Sequence, residues 1–258
     1  MKIKEVIATL EYFAPLPLQE SYDNAGLQVG LTETEVSGVL LCLDVTEDVL
    51  KEAVHSGCNL VVSHHPLLFH ALKHLTEDTL PERCARYAVM HDLTIYSAHT
   101  NLDNCEGGVN YEIARRMDLH DLALLQPHAD GGGSGVVGTL PAKMSAEDFL
   151  HQLKRTFEVE CLTANALLDR PISKVALCGG AGSFLLDEAL SQGCDAFVTG
   201  EMHYHEYFGL EHRIQIAVMG HYQSEHYTKH LLAEIIRHDW PEVKLVETTI
   251  NTNPIRYI

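Results

Sequence analysis

The stretch Leu60–Phe69 reads Leu-Val-Val-Ser-His-His-Pro-Leu-Leu-Phe. Its short apolar run predicts a buried strand, which must stop near Pro66 because proline cannot donate to a ladder. His64 and His65 therefore stand together at a strand end, where ligand sites gather in open α/β sheets. Adjacent side chains on an extended backbone point to opposite sides, so the pair suits two neighbouring metal ions better than one. The alternative for an isolated pair is a loop with two exposed histidines, so partners elsewhere in the chain must decide.

The composition of the 258-residue chain is close to that of an average globular protein and allows one large domain or two ordinary ones. A formal net charge of −18 disfavours nucleic acid and anionic membranes as partners. The seven cysteines include no Cys-x-x-Cys pair and no secretory leader is recognised, which predicts reduced thiols in the cytoplasm. No apolar segment reaches the ~20 residues that a transmembrane helix needs.

Strands and helices alternate along the chain, which predicts an α/β fold with mixed sheets. Predicted strands lie at 39–43, 60–63, 93–97, 136–140, 175–178 and 214–219, and predicted helices at 2–13, 46–56, 81–91, 109–117, 147–156 and 184–192. The glycine-rich segment 127–135 is predicted to be a loop between two halves, 1–126 and 127–258. The C-terminal segment 244–250 could return as a strand to the first half.

The second half repeats the first. When Val39–His65 is set against Val175–Glu201 without a gap, nine positions are identical. Shared β-α-β architecture would produce part of this agreement, but matched Gly-Cys and Glu-Ala pairs favour an internal duplication. We therefore expect two related α/β halves, with a metal cleft between them at the carboxyl ends of their strands.

Metal-ligating residue types follow the predicted strands in both halves. A His-x-x-x-carboxylate pattern follows the strand at 93–97 as His99 and Asp103, and the strand at 214–219 as His221 and Glu225. The full candidate ligand set is His64, His65, Asp103, His221 and Glu225. Imidazoles mixed with carboxylates suit Zn²⁺, Fe²⁺ or Mn²⁺, and a carboxylate can bridge two ions ~3.5–4 Å apart.

Two glycine-rich tracts are candidate nucleotide sites. The tract at 133–138 matches Gly-x-Gly-x-x-Gly, but the predicted order of strand and helix around it excludes a dinucleotide fingerprint. The second tract contains Gly179, Gly180, Gly182 and Ser183 between a predicted strand and helix, where backbone amides could hold a phosphate. A tight strand-to-helix turn explains that tract equally well.

Seven sequence blocks, in order, resemble the NIF-three-like family of dinuclear-metal proteins, whose members are often called GTP cyclohydrolase type 2 homologues. The blocks are 23–30, 63–69, 99–103, 178–183, 199–201, 220–225 and 251–254. Tyr22 stands where many relatives have tryptophan, and the chain resembles the short form that lacks a middle insert domain.

The resemblance implies a division of the ligands between two divalent ions. His64 and His221 would bind one ion, His65 and Asp103 the other, and Glu225 would bridge them. His99 would be an additional ligand or would support the ligands. Glu201, His203 and His205 would line the cleft. The resemblance also implies a homohexamer, arranged as a toroidal trimer of dimers.

Two functions remain open on this basis. The first is a metal-dependent hydrolase that opens the ring of GTP or a related nucleotide through metal-bound hydroxide, with Glu201, His99 or His205 moving protons. The second is a protein without catalytic activity that stores or inserts metal, or acts as a metal-dependent scaffold. Mixed histidine and carboxylate ligands favour the hydrolase.

Overall fold

A computed structural model describes residues 1–129 and 131–258. Its helices are α1 (Ile3–Phe13), α2 (Glu47–His55), α3 (Leu80–Met90), α4 (Thr100–Asp103), α5 (Val109–Arg116), α6 (Ala146–Thr156), α7 (Leu186–Ser191), α8 (His221–Glu225) and α9 (Thr228–Asp239). Its strands are β1 (Gly26–Val29), β2 (Val39–Cys42), β3 (Leu60–Ser63), β4 (Thr94–Ser97), β5 (His120–Pro127), β6 (Gly133–Met144), β7 (Thr163–Ala164), β8 (Ile172–Cys178), β9 (Ala196–Thr199), β10 (Gln215–Val218) and β11 (Leu245–Glu247). Among these residues, no helix combines the length and apolar character needed to cross a membrane.

The described chain forms two compact units. Unit 1 contains Met1–Cys105 and Tyr227–Pro254, and unit 2 contains Glu106–His226 and Ile255–Ile258. The division differs from the predicted halves 1–126 and 127–258, because residues 106–126 belong to unit 2, where β5 pairs with β6, and residues 227–254 belong to unit 1. The segment predicted at 244–250 contributes β11, which pairs with β2 in the sheet of unit 1.

Unit 1 is built on a five-stranded mixed sheet in the order β1-β4-β3-β2-β11. The four strands from β4 to β11 are parallel, and β1 is antiparallel to β4. Every residue of β2, β3 and β4 is buried, as expected for parallel strands covered on both faces. Helices α2 and α3 contribute buried residues such as Val49 and Ala88 to the core on this sheet.

Unit 2 is built on a six-stranded mixed sheet in the order β5-β6-β8-β9-β10-β7. Strands β8, β9 and β10 are parallel, and the others join antiparallel. The segment 127–135 was predicted to be a loop, but the structure places Pro127 in β5 and Gly133–Gly135 in β6, while residue 130 lies outside the described residues. Gly135 has φ +66° inside β6, and an added Cβ would lie 2.8 Å from the carbonyl oxygen of Leu177. Glycine is therefore required there by a close approach within the sheet and does not mark a loop.

The internal duplication predicted from the sequence has a counterpart in strand register. In unit 1, Val39 of β2 pairs with Leu60 of β3, and in unit 2, Val175 of β8 pairs with Ala196 of β9. The ungapped sequence alignment equates these same two pairs. Each unit thus contains a β-α-β element with the same pairing, followed by a third parallel strand.

Candidate metal centre

The register of the parallel strands β3 and β4 gathers histidines in unit 1. Ser63 at the end of β3 pairs with Ser97 at the end of β4, so the next residues on each strand are neighbours. As a result, His64, His65 and His99 each place one ring nitrogen within 4.8 Å of the other two. The rings of His64 and His99 have centroids 5.2 Å apart. The predicted placement of histidines at converging strand ends is thus found within this unit.

Each of these three histidines has its Nδ1 on an oxygen acceptor. Nδ1 of His64 lies 2.8 Å from the carbonyl oxygen of Ala98. Nδ1 of His65 lies 2.7 Å from Oδ1 of Asp44, and Nδ1 of His99 lies 2.7 Å from Oδ1 of Asp23. An acceptor at Nδ1 requires the proton there, so a neutral ring carries its lone pair on Nε2. Such contacts fix the tautomer and the orientation of a metal-binding imidazole.

Two aspartates that the sequence did not single out therefore position candidate ligands. Burial raises the pKa of Asp23, but hydrogen bonds from His99 and Thr100 outweigh it and bring the pKa down to about 2. Burial also acts to raise the pKa of Asp44, but the hydrogen bond from His65 and the electrostatic attraction between the two side chains lower it. Both carboxylates are consequently ionised at neutral pH. In sequence, Asp23 stands out only within the family block 23–30, whereas Asp44 follows β2 and the strand-end rule could have found it.

Asp103, the predicted carboxylate ligand of unit 1, lies on the short helix α4 that His99 precedes. Its Oδ1 is 3.6 Å from Nε2 of His64, which is a fully buried side chain. Nε2 is the nitrogen of His64 that the contact with Ala98 leaves for a metal. Asp103 and His64 thus present an oxygen and a nitrogen donor to the same region.

Unit 2 repeats this arrangement around His221. Glu201 follows β9 and His221 follows β10, and Nδ1 of His221 lies 2.8 Å from Oε1 of Glu201. On the other side of the ring, Nε2 lies 3.1 Å from Oε2 of the buried Glu225. Helix α8 begins at His221 and ends at Glu225, so the two side chains share one helical face as the His-x-x-x-Glu spacing predicted.

The glycine tract of unit 2 shapes the space around Glu225. Gly180 has φ +57°, and a Cβ added to it would overlap Oε1 of Glu225. The amide of Gly179 donates to Oδ1 of Asn110 at 2.9 Å, and that of Gly180 donates to Oγ of Ser224 at 3.0 Å. Glycine is favoured at 180 for two reasons: its φ is positive, and any side chain would displace the end of the Glu225 carboxylate.

The predicted phosphate loop has its polar groups directed at the protein. The amide of Gly182 donates to Oγ1 of Thr199 at 3.1 Å, and Oγ of Ser183 donates to Oε1 of Glu206 at 3.1 Å. Together with the amides of Gly179 and Gly180, these groups already have acceptors. The tight-turn interpretation accounts for this geometry, and the geometry of the tract gives no support to a phosphate role.

The three residues predicted to move protons occupy different surroundings. Glu201 is hydrogen-bonded to His221, and His99 has a ring nitrogen within 4.8 Å of those of His64 and His65. Both therefore lie beside candidate ligands. His205 is exposed on a 3₁₀ turn, where its ring packs against Tyr204 and stacks on Phe208. His203 starts the same turn and is also exposed. Geometry thus separates Glu201 and His99 from the other two.

The donors present fit a divalent metal. Histidine nitrogens oriented by oxygen acceptors, with carboxylates close by, are the ligands that zinc, iron and manganese take in proteins. His64, His65 and His99 supply such donors in unit 1, and His221 and Glu225 supply them in unit 2. The fold and these donors define an α/β protein with groups that can hold metal.

Comparison with known proteins identifies the family. The family model for Duf34/NIF3 (NGG1p interacting factor 3) matches residues 1–254. The chain is 34% identical over 230 residues to a GTP cyclohydrolase 1 type 2 homolog of Clostridium perfringens, covering 87% of each chain. It is 32% identical to the protein of that name from Clostridium acetobutylicum, covering 87% of this chain and 85% of the relative. The structure of the Staphylococcus aureus hypothetical protein SA1388 matches with a TM-score of 0.92 at 27% identity, covering 100% of this chain and 99% of that one.

The chain therefore belongs to the Duf34/NIF3 family. Its mixed α/β architecture is that of the family's solved structures, which confirms the predicted fold class and the predicted family.

Proposed function

We propose that this protein is a metal-dependent hydrolase that binds two divalent ions through His64, His65, Asp103, His221 and Glu225. The observation that carries the proposal is the contact that each of four histidines beside these donors makes through Nδ1. His64, His65, His99 and His221 all hold Nδ1 against an oxygen acceptor, which leaves Nε2 as the donor in each. The exposed His238 also has Nδ1 on a carboxylate, 2.8 Å from Oδ1 of Asp239, so the contact alone does not mark a metal site. His64, His65 and His99 differ because their ring nitrogens also lie within 4.8 Å of one another.

Bound divalent ions would lower the pKa of a water molecule and polarise an electrophile beside it. The residues of the chain would hold and orient the donors. Asp44 and Glu201 would keep His65 and His221 in the required tautomer and stabilise positive charge on the rings. Glu201 also has an exposed carboxylate, so it can exchange a proton with solvent or with a bound substrate.

For the reaction, we propose ring-opening hydrolysis of GTP or a related nucleotide, with release of formate. Support comes from the names of the clostridial relatives, GTP cyclohydrolase 1 type 2 homolog. Access also favours catalysis, because the side chains of His65 and His221 are 24% and 34% exposed. A catalytic metal site keeps a position open to water or substrate.

Metal storage, metal insertion or a metal-dependent scaffold is the second candidate. The buried side chains of His64 and Glu225 favour it, because closed sites are typical of structural metals. Metal that binds stoichiometrically without any turnover of purine nucleotides would support this candidate over the hydrolase.

The first experiment measures metal per chain by elemental mass spectrometry after reconstitution with Zn²⁺, Mn²⁺ or anaerobic Fe²⁺. We expect about two ions in the wild type, as in two-metal hydrolytic sites, and loss of metal in Glu225→Ala. Glu234→Ala is the matched control, because Glu234 is an exposed glutamate on α9. Formate release from GTP is then measured on the loaded wild type.

Two results would contradict the proposal. If the wild-type protein binds none of the three metals, the proposed metal centre is wrong. If metal-loaded protein releases no formate from GTP with any of the metals, the proposed cyclohydrolase reaction is wrong, but the proposed metal centre is not contradicted. Circular dichroism of Glu225→Ala separates loss of metal from loss of fold.

We also propose a homohexamer, on the family resemblance alone. Light scattering coupled to size-exclusion chromatography should give the mass of six chains. A monomer or dimer across a wide range of protein concentration would contradict it.

A further inference from the structure

Two exposed aromatic rings lie beside the histidines of unit 1. Tyr22 is 65% exposed and Phe69 is 38% exposed, although both are large apolar groups. Their ring centroids are 6.4 Å apart with an interplanar angle of 56°. The centroid of Phe69 is also 6.2 Å from that of His99, in an edge-to-face contact at 83°. The two rings, here called the aromatic pair, therefore border the candidate metal ligands.

Hydrogen bonds from neighbouring residues hold the aromatic pair in place. Asp23 follows Tyr22 directly, and its carboxylate accepts hydrogen bonds from His99 and Thr100. Leu68 precedes Phe69, and its carbonyl oxygen accepts a hydrogen bond from Nδ2 of Asn24 at 2.7 Å. The backbone on one side of each ring is thus anchored, which limits the freedom that a bound ligand would have to remove.

A second contact braces the same two segments. The amide of Leu68 donates to Oε1 of Gln28 at 3.1 Å, and Nε2 of Gln28 donates to the carbonyl oxygen of Asn24 at 2.6 Å. The amides of these two side chains are therefore engaged in joining the segments. The two exposed aromatic rings stand beside these joined segments.

We infer that the aromatic pair is a stacking surface for the planar ring of the substrate, a purine base held at the edge of the histidine cluster. The inference deepens the proposed function and rests on it for the identity of the substrate. Aromatic side chains can bind a base by stacking alone, without hydrogen bonds, because every base presents a π-face.

The inference is tested by binding measured separately from turnover. Isothermal titration calorimetry compares GTP with inorganic triphosphate on zinc-loaded protein, because only GTP carries a ring. Phe69→Leu and Tyr22→Leu keep apolar bulk but remove the aromatic face, while Tyr22→Phe keeps it. Tyr12→Leu is the matched control, because Tyr12 is a 90% exposed tyrosine on α1. Metal content is measured in every variant.

We expect each leucine variant to bind GTP about 5- to 150-fold more weakly, with triphosphate binding unchanged. Tyr22→Phe and Tyr12→Leu should bind GTP as the wild type does. GTP binding that is absent in the wild type, unchanged in both leucine variants, or weakened equally with triphosphate would overturn the stacking surface. If the expected pattern appears but no formate is released, the hydrolysis proposal fails and the stacking surface stands.

Discussion

Replacing Gly180 by alanine tests whether the glycine tract exists to make room for Glu225. Gly180 adopts φ +57°, and its missing Cβ leaves the space that Oε1 of Glu225 occupies. A Cβ would also lie 3.3 Å from Cδ of Glu225 and 3.4 Å from Cε1 of His221. Because Glu225 is buried, its carboxylate can yield only by moving away from the position it shares with His221.

The cost has two parts. A residue other than glycine in the left-handed region costs about 1–2 kcal/mol. Overpacking a closely packed site costs about 1–3 kcal/mol more. We therefore expect Gly180→Ala to lose about 2–5 kcal/mol of unfolding free energy and to bind metal more weakly.

Gly193→Ala isolates the first part. Gly193 has φ +66°, and no neighbouring atom lies within 4 Å of the position its Cβ would take. Both glycines belong to unit 2, so both variants report on the unfolding of the same unit. Gly193→Ala should lose about 1–2 kcal/mol and retain the metal affinity of the wild type.

The assay is urea unfolding followed by circular dichroism, together with zinc affinity from competition with a chromogenic chelator. The reasoning is refuted if Gly180→Ala matches Gly193→Ala in both unfolding and zinc affinity. Equal unfolding with weakened zinc binding would still support the role of Gly180 at Glu225, because the site would have yielded locally.

Three further predictions concern buried charges and thiols. Asp44→Asn should weaken zinc affinity about 10- to 100-fold by chelator competition, whereas Asp48→Asn, on the exposed face of α2, should not. The lowered pKa of Asp23, about 2 against 3.8, stabilises the metal-free fold by about 2.5 kcal/mol above about pH 4, and this contribution is lost as the pH falls toward 2. Asp23→Asn should therefore lower urea stability at pH 7 and flatten its decline in acid; a decline as steep as the wild type's would contradict this. Iodoacetamide should modify the exposed Cys161 and spare Cys42, because burial raises the pKa of the Cys42 thiol. Mass spectrometry of the labelled native protein measures this, and labelling of Cys42 before Cys161 would contradict it.

The β-α-β elements were predictable because their signals are local. The ranges predicted at 39–43, 46–56 and 60–63 correspond to β2, α2 and β3, with boundaries within a residue or two of those observed. Strand β5 was missed because its residues are mostly exposed and its partner is the glycine-containing β6. In the sequence, Gly135 indicates a loop. The structure shows that glycine is needed there because the carbonyl oxygen of Leu177 lies too close for a Cβ.

The residue types of the candidate ligands were also predictable, whereas the carboxylates that orient the histidine rings were not. Histidine pairs and His-x-x-x-carboxylate spacings after strands are visible in sequence, and α8 brings His221 and Glu225 together as their spacing predicts. Asp23 is separated from His99 by 76 positions, and Asp44 from His65 by 21. No local pattern connects such residues.

By itself, the sequence determined the alternation of strands and helices, the repeated β-α-β element and the kinds of atom available to a metal. Only the tertiary structure decided which oxygen orients each histidine, why Gly180 must be glycine, and which strands flank β2 and β8. The physical reason is that hydrogen-bond geometry at these positions depends on the register between strands far apart in the chain. Local propensity sets the strands, and pairing between them sets the site.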